Sequence, residues 1–283
     1  METITLNWHI TERCNYKCHY CFAKYTKCNM QEIHRNKENI TTLLTKLYNS
    51  IGAIYNTDSL RLNIAGGEPL LSKNLGFIVE SAYKLGFKIS IITNASLLTK
   101  EFIESYIAIF TMFGISVDSI NTETNNHIGR CSKTHNNNTA YLKDTINFLK
   151  AKNKDMQIKI NTVVNRYNYK ENMSEFIESI KPDKWKIFQA LSINADKNYC
   201  NKTQYKYFLR THKHLKSCIT DEDKDLMTNS YIMIDPYGIF YQNTKGNNKG
   251  YTYSPILLDL ADKDIANYLK VDMIKYKKRC NLV

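Results

Sequence analysis

Three cysteines within eight residues form the group with the clearest chemical potential in this sequence. They are Cys14, Cys18 and Cys21 of the stretch RCNYKCHYCF, and no nearby fourth cysteine continues their spacing. A structural zinc site needs four ligands, and His19 lies too close in sequence to complete a tetrahedron comfortably. Three thiolates on one loop can instead hold three irons of an iron–sulfur cube and leave the fourth iron open. The triplet therefore fits a zinc loop, a disulfide framework or a cluster site that is one protein ligand short.

A second motif, Gly66-Gly67-Glu68-Pro69, directly follows the apolar run LRLNIA. Glycine allows the backbone to approach another group closely, and proline fixes a turn. Taken alone, such a motif is equally typical of a plain turn. Together with the cysteine loop it indicates a ligand-binding turn at the end of a strand.

Both motifs lie at the ends of strands in a chain that alternates strands and helices. Apolar residues at period two mark strands, and apolar residues three and four apart mark helices. Strands are predicted at Ile4–His9, Leu60–Ala65, Lys88–Asn94, Phe113–Val117, Ile158–Asn165 and Trp185–Ala190. Helices are predicted at Ile40–Ile54, Leu75–Leu85, Phe102–Ile109, Thr139–Lys152 and Met173–Ile180.

This alternation predicts an α/β fold with a parallel sheet and right-handed crossovers. Eight units would close a full barrel, so six units followed by a change of pattern predict a partial (βα)6 barrel. Residues 1–191 are expected to form this core, and residues 192–283 a C-terminal extension that packs on it and covers the barrel mouth. In the extension we expect a polar helix near Lys202–Cys218 with His212 at its surface, a strand at Ser230–Ile234 and a surface loop at Asn243–Gly250.

Composition describes an ordinary globular protein of 283 residues, with 43% hydrophobic and 23% charged residues. The formal net charge of +12 suggests a polyanionic partner. However, the lysines are scattered, and A/T-rich coding would produce the same richness in Lys, Asn, Ile and Tyr. Charge alone therefore does not identify a partner. The first ten residues do not resemble a targeting segment, and no apolar run approaches the roughly 18 residues of a membrane span, so we expect a cytoplasmic protein without membrane attachment.

A cytoplasmic protein of this size is not expected to form disulfides from its eight cysteines. The cysteines outside the triplet lack partner spacing and are interpreted as small buried hydrophobic residues or idle thiols. They are Cys28, Cys131, Cys200, Cys218 and Cys280.

Several longer stretches resemble the viperin family of radical S-adenosylmethionine (SAM) enzymes, and its prokaryotic members in particular. The spacing of the cysteine triplet is the one associated with radical SAM enzymes. The similar stretches are LNWHITERCNYKCHYCF, LNIAGGEPLL, ISIITNASLL, FGISVDSINTETNNHIGR, IKINTVVNRYN and KWKIFQALS, in this order from residue 6 to about 192. The stretch NSYIMIDPYGIF extends the resemblance to about residue 240, and beyond it the resemblance is weak.

The resemblance implies a [4Fe–4S] cluster held by Cys14, Cys18 and Cys21, with SAM bound to the open iron. One electron from the reduced cluster would then cleave a C–S bond of SAM to give a 5′-deoxyadenosyl radical. In this family the radical removes the 4′ hydrogen of a ribonucleoside triphosphate, and the 3′ hydroxyl leaves as water. One further electron and proton give the 3′-deoxy-3′,4′-didehydro nucleotide, which terminates viral RNA. The choice among CTP, UTP and GTP is not indicated by the sequence.

The resemblance also implies roles for individual residues. Tyr20 would lie against the adenine of SAM, and Tyr231 matches a tyrosine proposed to return a hydrogen to the sugar radical. The remaining SAM-binding residues would be Gly66, Gly67, Glu68, Asn94, Ser116 and Arg130.

Cationic and amide side chains on the predicted strands provide a place for the triphosphate. Lys159 and Asn161 share one strand face, as do Lys184 and Lys186, because strand side chains alternate. A cation inside a barrel is costly unless an anion pairs with it, and a triphosphate would satisfy several cations at once. The predicted substrate-binding residues are Asn7, Arg61, Lys159, Asn161, Lys184 and Lys186, with Lys186 also assigned to catalysis.

The expected partners are a nucleoside triphosphate and a one-electron reductant of the flavodoxin or ferredoxin type. We expect a monomer that does not bind nucleic acid stably. Two kinds of alternative remain at this stage: a radical SAM enzyme that modifies a peptide or an RNA, and a non-enzymatic iron–sulfur regulator. A peptide-modifying enzyme would need a second dense set of cysteines, and only Cys200, Cys218 and Cys280 follow residue 131.

Overall fold

The computed structural model describes residues 3–23, 30–132, 139–191, 199–244 and 251–280, so Cys28 and most of the Asn243–Gly250 stretch lie outside it. The strands are β1 (Ile4–His9), β2 (Leu60–Ala65), β3 (Lys88–Thr93), β4 (Phe110–Ser116), β5 (Gln157–Val164), β6 (Lys184–Gln189), β7 (Ile219–Glu222), β8 (Ile232–Ile234), β9 (Ile239–Gln242) and β10 (Thr252–Ile256). The α-helices are α1 (Lys37–Tyr55), α2 (Leu75–Lys84), α3 (Lys100–Tyr106), α4 (Thr122–His127), α5 (Thr139–Lys152), α6 (Ser174–Ile180), α7 (Lys202–Thr211) and α8 (Met273–Cys280).

All described strands belong to one sheet, in the order β10-β9-β8-β1-β2-β3-β4-β5-β6-β7. Strands β1 to β7 pair in parallel along this order. β8 also pairs in parallel with β1, whereas β9 and β10 are antiparallel additions at that edge. The predicted parallel α/β core is confirmed, and the C-terminal extension adds strands to both of its edges.

The sheet curves until its two parallel edges meet. Glu222 ends β7 and Tyr231 directly precedes β8, on opposite sides of the strand order, yet the Tyr231 hydroxyl donates a hydrogen bond to the Glu222 carboxylate. β7 and β8 therefore provide the seventh and eighth parallel strands of a barrel whose last junction is made by side chains. The extension was predicted to pack on the core and cover the barrel mouth; in the structure its strands β7 and β8 pair with β6 and β1 and form part of the barrel wall.

The two faces of the curved sheet differ in chemistry. The outer face packs on the helices and is fully buried and apolar; it includes Leu6, Trp8, Leu62, Ile64, Ile91, Phe113, Ile115, Ile158, Ile160, Trp185 and Ile187. The inner face is polar, and Asn7, Asn63 and Ser90 form a hydrogen-bonded row across β1, β2 and β3. Parallel sheets covered on both faces are usually hydrophobic on both. A buried polar face therefore indicates a chamber for a polar ligand.

Helix boundaries follow local capping. The Asn36 side chain accepts hydrogen bonds from the amides of Glu38 and Asn39 at the start of α1, and Asn56 ends the helix in the left-handed conformation. At the start of α7, Asn201 and Gln204 form a reciprocal capping box.

Some sequence predictions were wrong in detail. β4 begins at Phe110 rather than Phe113, because its pairing with β3 shifts between Ile89 and Ser90 and interrupts the alternation. The polar helix ends at Thr211. His212 is fully buried, not at the surface: it accepts a hydrogen bond from the Met173 amide at 2.9 Å, and burial lowers its pKa.

Candidate active site

The cysteine loop follows β1 at the C-terminal end of the parallel strands. Cys14 is exposed, and Cys18 and Cys21 are partly exposed. The loop backbone is held by the segment after α4: the Lys17 amide donates to the Gly129 carbonyl at 3.0 Å, and the neighbouring His19 amide donates to Ile128. The three thiols are thus presented on a fixed loop rather than a free one.

The predicted glycine motif holds this loop from the other side. The Gly67 amide donates to the Thr11 carbonyl at 2.7 Å, and the Glu68 amide donates to the Arg13 carbonyl at 2.8 Å. A Cβ on Gly67 would lie 2.2 Å from the Arg13 carbonyl oxygen, and one on Gly66 would lie 2.8 Å from that of Thr11. Glycine is needed here because the cysteine loop itself approaches the motif so closely.

The Glu68 carboxylate joins the ends of β2 and β3. It is fully buried and accepts hydrogen bonds from the Thr93 hydroxyl and the Asn94 amide, both at 2.8 Å. Burial raises its pKa, and these hydrogen bonds oppose the rise. The Asn94 side chain in turn donates to Asn15 of the cysteine loop at 2.9 Å and accepts from Ser96. Glu68 and Asn94 thus lie beside the loop, and the Glu68 carboxylate is hydrogen-bonded to other residues of the protein.

Tyr20 and Arg130, both predicted to contact SAM, meet at a residue that the sequence analysis missed. The buried Asp118 accepts hydrogen bonds from the Tyr20 hydroxyl and, at 2.8 Å, from Arg130 Nη1. Arg130 also donates to the Ser116 carbonyl at 2.6 Å and lies 4.0 Å from Cys18 Sγ. Burial acts to lower the pKa of Arg130, but the Asp118 carboxylate and Cys18 outweigh it and raise it. Asp118 thereby fixes a guanidinium beside the cysteine loop.

The donor set of the loop fits an iron–sulfur cluster. Burial raises the pKa of Cys18 to about 12 and Arg130 opposes the rise, so the thiolate needs a metal to form at neutral pH. Among the described residues, no three His, Cys, Asp or Glu side chains converge closely enough to hold a single metal ion. A cluster makes a different demand, because each thiolate binds its own iron.

Lys186 and Tyr231, the two predicted catalytic residues, are brought together inside the barrel. Lys186 Nζ lies 3.3 Å from the Tyr231 hydroxyl and 2.5 Å from Glu222 Oε1. Burial lowers the pKa of Lys186 to about 8, against the opposing effect of the Glu222 carboxylate. Burial and the same carboxylate raise the pKa of Tyr231 well above its usual value.

Arg279 of α8 joins this group, and no sequence pattern pointed to it. Its guanidinium lies over the Tyr231 ring, with 3.8 Å between Cζ and the ring centre, and its Nε donates to the Ser230 carbonyl at 3.0 Å. The residue is buried, and among the described residues its Nη2 has no hydrogen-bond partner. A buried guanidinium with an unused donor is suited to bind an anion.

The remaining predicted cations face the same chamber. Lys159 pairs in register with Lys184, and Asn161 with Lys186. A Cβ on Gly114 would lie 3.2 Å from Lys159 Cε and 3.3 Å from Asn161 Nδ2, so glycine at this position leaves room for both side chains. Burial, and then the nearby Lys186 and Arg279, lower the pKa of Lys159 to about 7.

The other two predicted substrate residues are partly engaged with the protein. Arg61 Nη1 donates to the Thr111 hydroxyl at 3.3 Å, and burial lowers the pKa of Arg61. Asn7 donates to the Ile232 carbonyl at 3.1 Å and accepts from Asn63. Asn161 is buried and its Oδ1 lacks a hydrogen-bond partner within the described part of the chain.

The site therefore has two zones along the strand direction. The thiols and the Asp118–Arg130 pair lie at or beyond the C-terminal ends of the strands. Arg61, Lys159 and Lys184 lie in the N-terminal halves of β2, β5 and β6, deeper in the barrel. A ligand that spans both zones would meet the thiol loop at one end and several cations at the other.

Comparisons with known proteins agree with this arrangement. The sequence profile of the Radical SAM superfamily matches residues 8–181. A protein of Psychrobacter lutiphocae named S-adenosylmethionine-dependent nucleotide dehydratase is 38% identical over 98% of this chain and 95% of its own length. A protein of the same name from Pseudoalteromonas ulvae is 35% identical over 99% of this chain and 93% of its own length.

Among solved structures, native anSMEcpe with bound AdoMet superposes with a TM-score of 0.67 at 14% identity, covering 100% of this chain and 83% of that one. At this identity the likeness shows the fold alone. The sequence relatives are close enough to assign a family: the chain belongs to the radical SAM superfamily and, within it, to the viperin-like S-adenosylmethionine-dependent nucleotide dehydratases.

Proposed function

We propose that this protein dehydrates a ribonucleoside triphosphate to its 3′-deoxy-3′,4′-didehydro analogue, as its resemblance to viperin implies, and thereby makes a chain terminator for antiviral defence. The observation that carries the proposal is the buried cationic chamber beneath the cysteine loop. Two of its buried polar atoms, Arg279 Nη2 and Asn161 Oδ1, have no hydrogen-bond partner among the described residues, and they suit a polar ligand. The names of the sequence relatives support a nucleotide as that ligand.

The cluster and SAM, when bound to the Cys14–Cys21 loop, would supply the 5′-deoxyadenosyl radical that abstracts the 4′ hydrogen. The protein's task at that end is to fix SAM. Arg130, already oriented by Asp118 and the Ser116 carbonyl, would bind the SAM carboxylate with its remaining N–H groups. The turn at Gly66 and Gly67 would face the SAM amino group, and Tyr20 and Asn94 would border its adenosine.

At the other end, the triphosphate would bind to five cations. Arg61, Lys159, Lys184, Lys186 and Arg279 surround the chamber, and an anion relieves their mutual repulsion and the cost of their burial. This binding would position the ribose between the cations and the cysteine loop, with Asn7 and Asn161 on the wall of the chamber. The phosphate contacts, which are remote from the reacting carbon, would then hold that carbon in place.

Tyr231 and Lys186 are the groups placed to handle protons and hydrogen near the sugar. Departure of the 3′ hydroxyl as water requires a proton, and Lys186, whose pKa is lowered to about 8, is suited to donate one near neutral pH. After that step, completion of the product requires one electron, and Lys186 must regain its proton. The Tyr231 phenol, 3.3 Å from Lys186 Nζ, is the proposed source of both, so it gives up one net hydrogen atom. The electron donor and a solvent proton then restore the phenol.

The electron donor in this proposal is a flavodoxin- or ferredoxin-type protein that docks beside the cysteine loop. Lys17 and Arg166 are exposed there, and Arg166 is held over the Tyr167 ring with 4.8 Å between Cζ and the ring centre. The Tyr167 ring contacts His127 at the end of α4. The acidic Glu123 lies one turn earlier in the same helix. The excess of positive charge suits an acidic carrier, because complementary charges speed transient association.

We place the protein in the cytoplasm as a monomer, where nucleoside triphosphates and such carriers occur. Among the described residues, no helix combines the length and the apolar character needed to cross a membrane.

The test is anaerobic reconstitution of the cluster, followed by addition of SAM, a reductant and CTP, UTP or GTP separately. Mass spectrometry should find a nucleotide that has lost one water, together with 5′-deoxyadenosine, and Cys18→Ala should abolish both. SAM cleavage without any dehydrated nucleotide would refute the nucleotide proposal and leave a radical SAM enzyme of another substrate. Stoichiometric zinc in place of iron would refute the radical chemistry altogether.

A further inference from the structure

Glu222 is a fully buried carboxylate within the cationic chamber, and the proposed reaction assigns it no role. Its side chain has no exposed surface, and it divides its two oxygens between two partners. Oε1 lies 2.5 Å from Lys186 Nζ, and Oε2 accepts the hydrogen bond of the Tyr231 hydroxyl. Glu222 thus contacts both of the proposed catalytic side chains.

The groups around Glu222 are otherwise cationic or phenolic. Lys186 comes from β6, Tyr231 from the segment before β8 and Arg279 from α8. Lys159 also interacts electrostatically with Lys186, Arg279 and Glu222. Glu222 opposes the effect of burial on both lysines. Without nucleotide, therefore, Glu222 is the anion that offsets part of the charge of the chamber.

A bound triphosphate would change this balance. Its oxygens compete with Glu222 for the ammonium of Lys186, because both are anions drawn to the same positive charge. The phenol of Tyr231 meets no such competitor, so its hydrogen bond to Glu222 persists. The carboxylate would then repel the triphosphate slightly and hold the phenol firmly.

We propose that Glu222 is a positioning residue for the dehydration: it orients the Tyr231 phenol toward the productive arrangement, and it does so at a cost in nucleotide affinity. The inference rests on the proposed function. A purely structural residue would support nucleotide binding, so its replacement would weaken binding. Glu222 opposes nucleotide binding, so removal of its charge should strengthen binding.

Glu222→Gln separates these two roles, because glutamine has nearly the same shape and no charge. Its oxygen would face the Lys186 ammonium and its amide would donate to the phenol oxygen, which reverses the hydrogen bond at Tyr231. Nucleotide binding, measured by calorimetry with each triphosphate and without reductant, should become about threefold to thirtyfold tighter. Under turnover, the ratio of 5′-deoxyadenosine to dehydrated nucleotide should rise several-fold, because hydrogen return becomes inefficient.

Asp221→Asn is the matched control, since Asp221 is exposed on the same strand one residue earlier. It should alter neither the affinity nor the product ratio. Tyr231→Phe provides a second test that leaves Glu222 and Lys186 paired. It should raise the product ratio as Glu222→Gln does, and the double variant should add little to either single one.

Three outcomes decide the matter. Tighter binding with an increased product ratio in Glu222→Gln supports the proposal. Weaker or unchanged binding, or an unchanged product ratio in Glu222→Gln, overturns it while leaving the nucleotide dehydratase activity intact. A wild-type protein that cleaves SAM but dehydrates no nucleotide overturns the proposed function itself, and the role of Glu222 with it.

Discussion

The guanidinium of Arg279 lies over the ring of Tyr231, with 3.8 Å between Cζ and the ring centre. The contact joins the last described helix to the segment before β8, and it is reinforced within α8 by Tyr276, whose hydroxyl accepts a hydrogen bond from the Thr5 amide at 2.7 Å. One face of α8, with Tyr276 and Arg279, is therefore buried against the barrel, whereas Ile274 and Lys278 of the same helix are exposed. The weak resemblance of the sequence beyond residue 240 gave no reason to expect this.

Arg279→Ala should raise the KM for the nucleotide about tenfold or more, because each charge-assisted phosphate contact is worth roughly 1.5–3 kcal/mol. Iron content should be unchanged, since α8 lies away from the cysteine loop. Arg279→Lys should recover only part of the loss, because lysine keeps the charge but not the planar stacking on Tyr231. Steady-state kinetics with varied nucleotide would measure both effects.

Lys278→Ala is the control for Arg279, since Lys278 is exposed on the same helix. An equal rise in KM for both variants would contradict a specific role for Arg279. Lys186→Ala is a poorer probe of the phosphate site, because it leaves the Glu222 carboxylate buried without its cation and is expected to destabilise the fold.

The core of the fold could be predicted because its signals are local. Alternating apolar strands and amphipathic helices gave six strand–helix units and hence a parallel sheet. β8 was predicted as a strand at Ser230–Ile234, but neither its place in the sheet nor the existence of β7 could be predicted. These strands span only three and four residues, and their position depends on contacts far along the chain. His212 was misplaced for a related reason: a polar helix does not reveal which of its residues turns toward the sheet.

The candidate site divides in the same way. The cysteine loop and the glycine motif are contiguous, so the sequence could reveal them, although not that they pack against each other. Asp118, Glu222 and Arg279 each look like an ordinary surface charge in the sequence. Their roles depend on partners that lie 98, 9 and 49 residues away along the chain, namely Tyr20, Tyr231 and Ser230. A local sequence pattern does not reveal such contacts.

Gly67→Ala should prevent the cysteine loop from docking, because the added Cβ would lie 2.2 Å from the Arg13 carbonyl oxygen. We expect a loss of about 2 kcal/mol or more in the free energy of unfolding and a large loss of reconstituted iron. Gly76→Ala is the matched control: its Cβ would meet the Tyr106 hydroxyl at the end of a movable side chain, remote from the loop. Iron analysis and thermal unfolding of both variants would decide, and full iron content in Gly67→Ala would contradict the proposed docking.

Charge reversal beside the cysteine loop should impair reduction by a protein donor alone. With flavodoxin at low salt, Lys17→Glu and Arg166→Glu should each slow cluster reduction about tenfold, because the acidic carrier is then repelled. With dithionite the rates should match the wild type. Lys154→Glu, an exposed reversal in the turn before β5 at the opposite end of the strands, should have no effect. Equal slowing with dithionite would point instead to damage at the cluster.

Nucleotide binding should be linked to protonation of Lys159. Burial and neighbouring cations lower the pKa of this lysine to about 7, so it is largely neutral above that pH in the free protein. A triphosphate favours the charged form and raises the pKa, so binding between about pH 7.5 and 9 takes up a proton. Affinity should therefore fall as pH rises through this window, by up to about tenfold per pH unit for each proton taken up.

Calorimetry in two buffers of different ionisation enthalpy would measure this proton uptake directly. Lys159→Arg is the control, because arginine stays charged throughout the range and contributes no uptake. Part of the effect should remain in that variant, since Lys186, with its pKa lowered to about 8, titrates in the same window. Affinity that is constant from pH 7.5 to 9 in the wild type would show that the triphosphate does not contact either lysine.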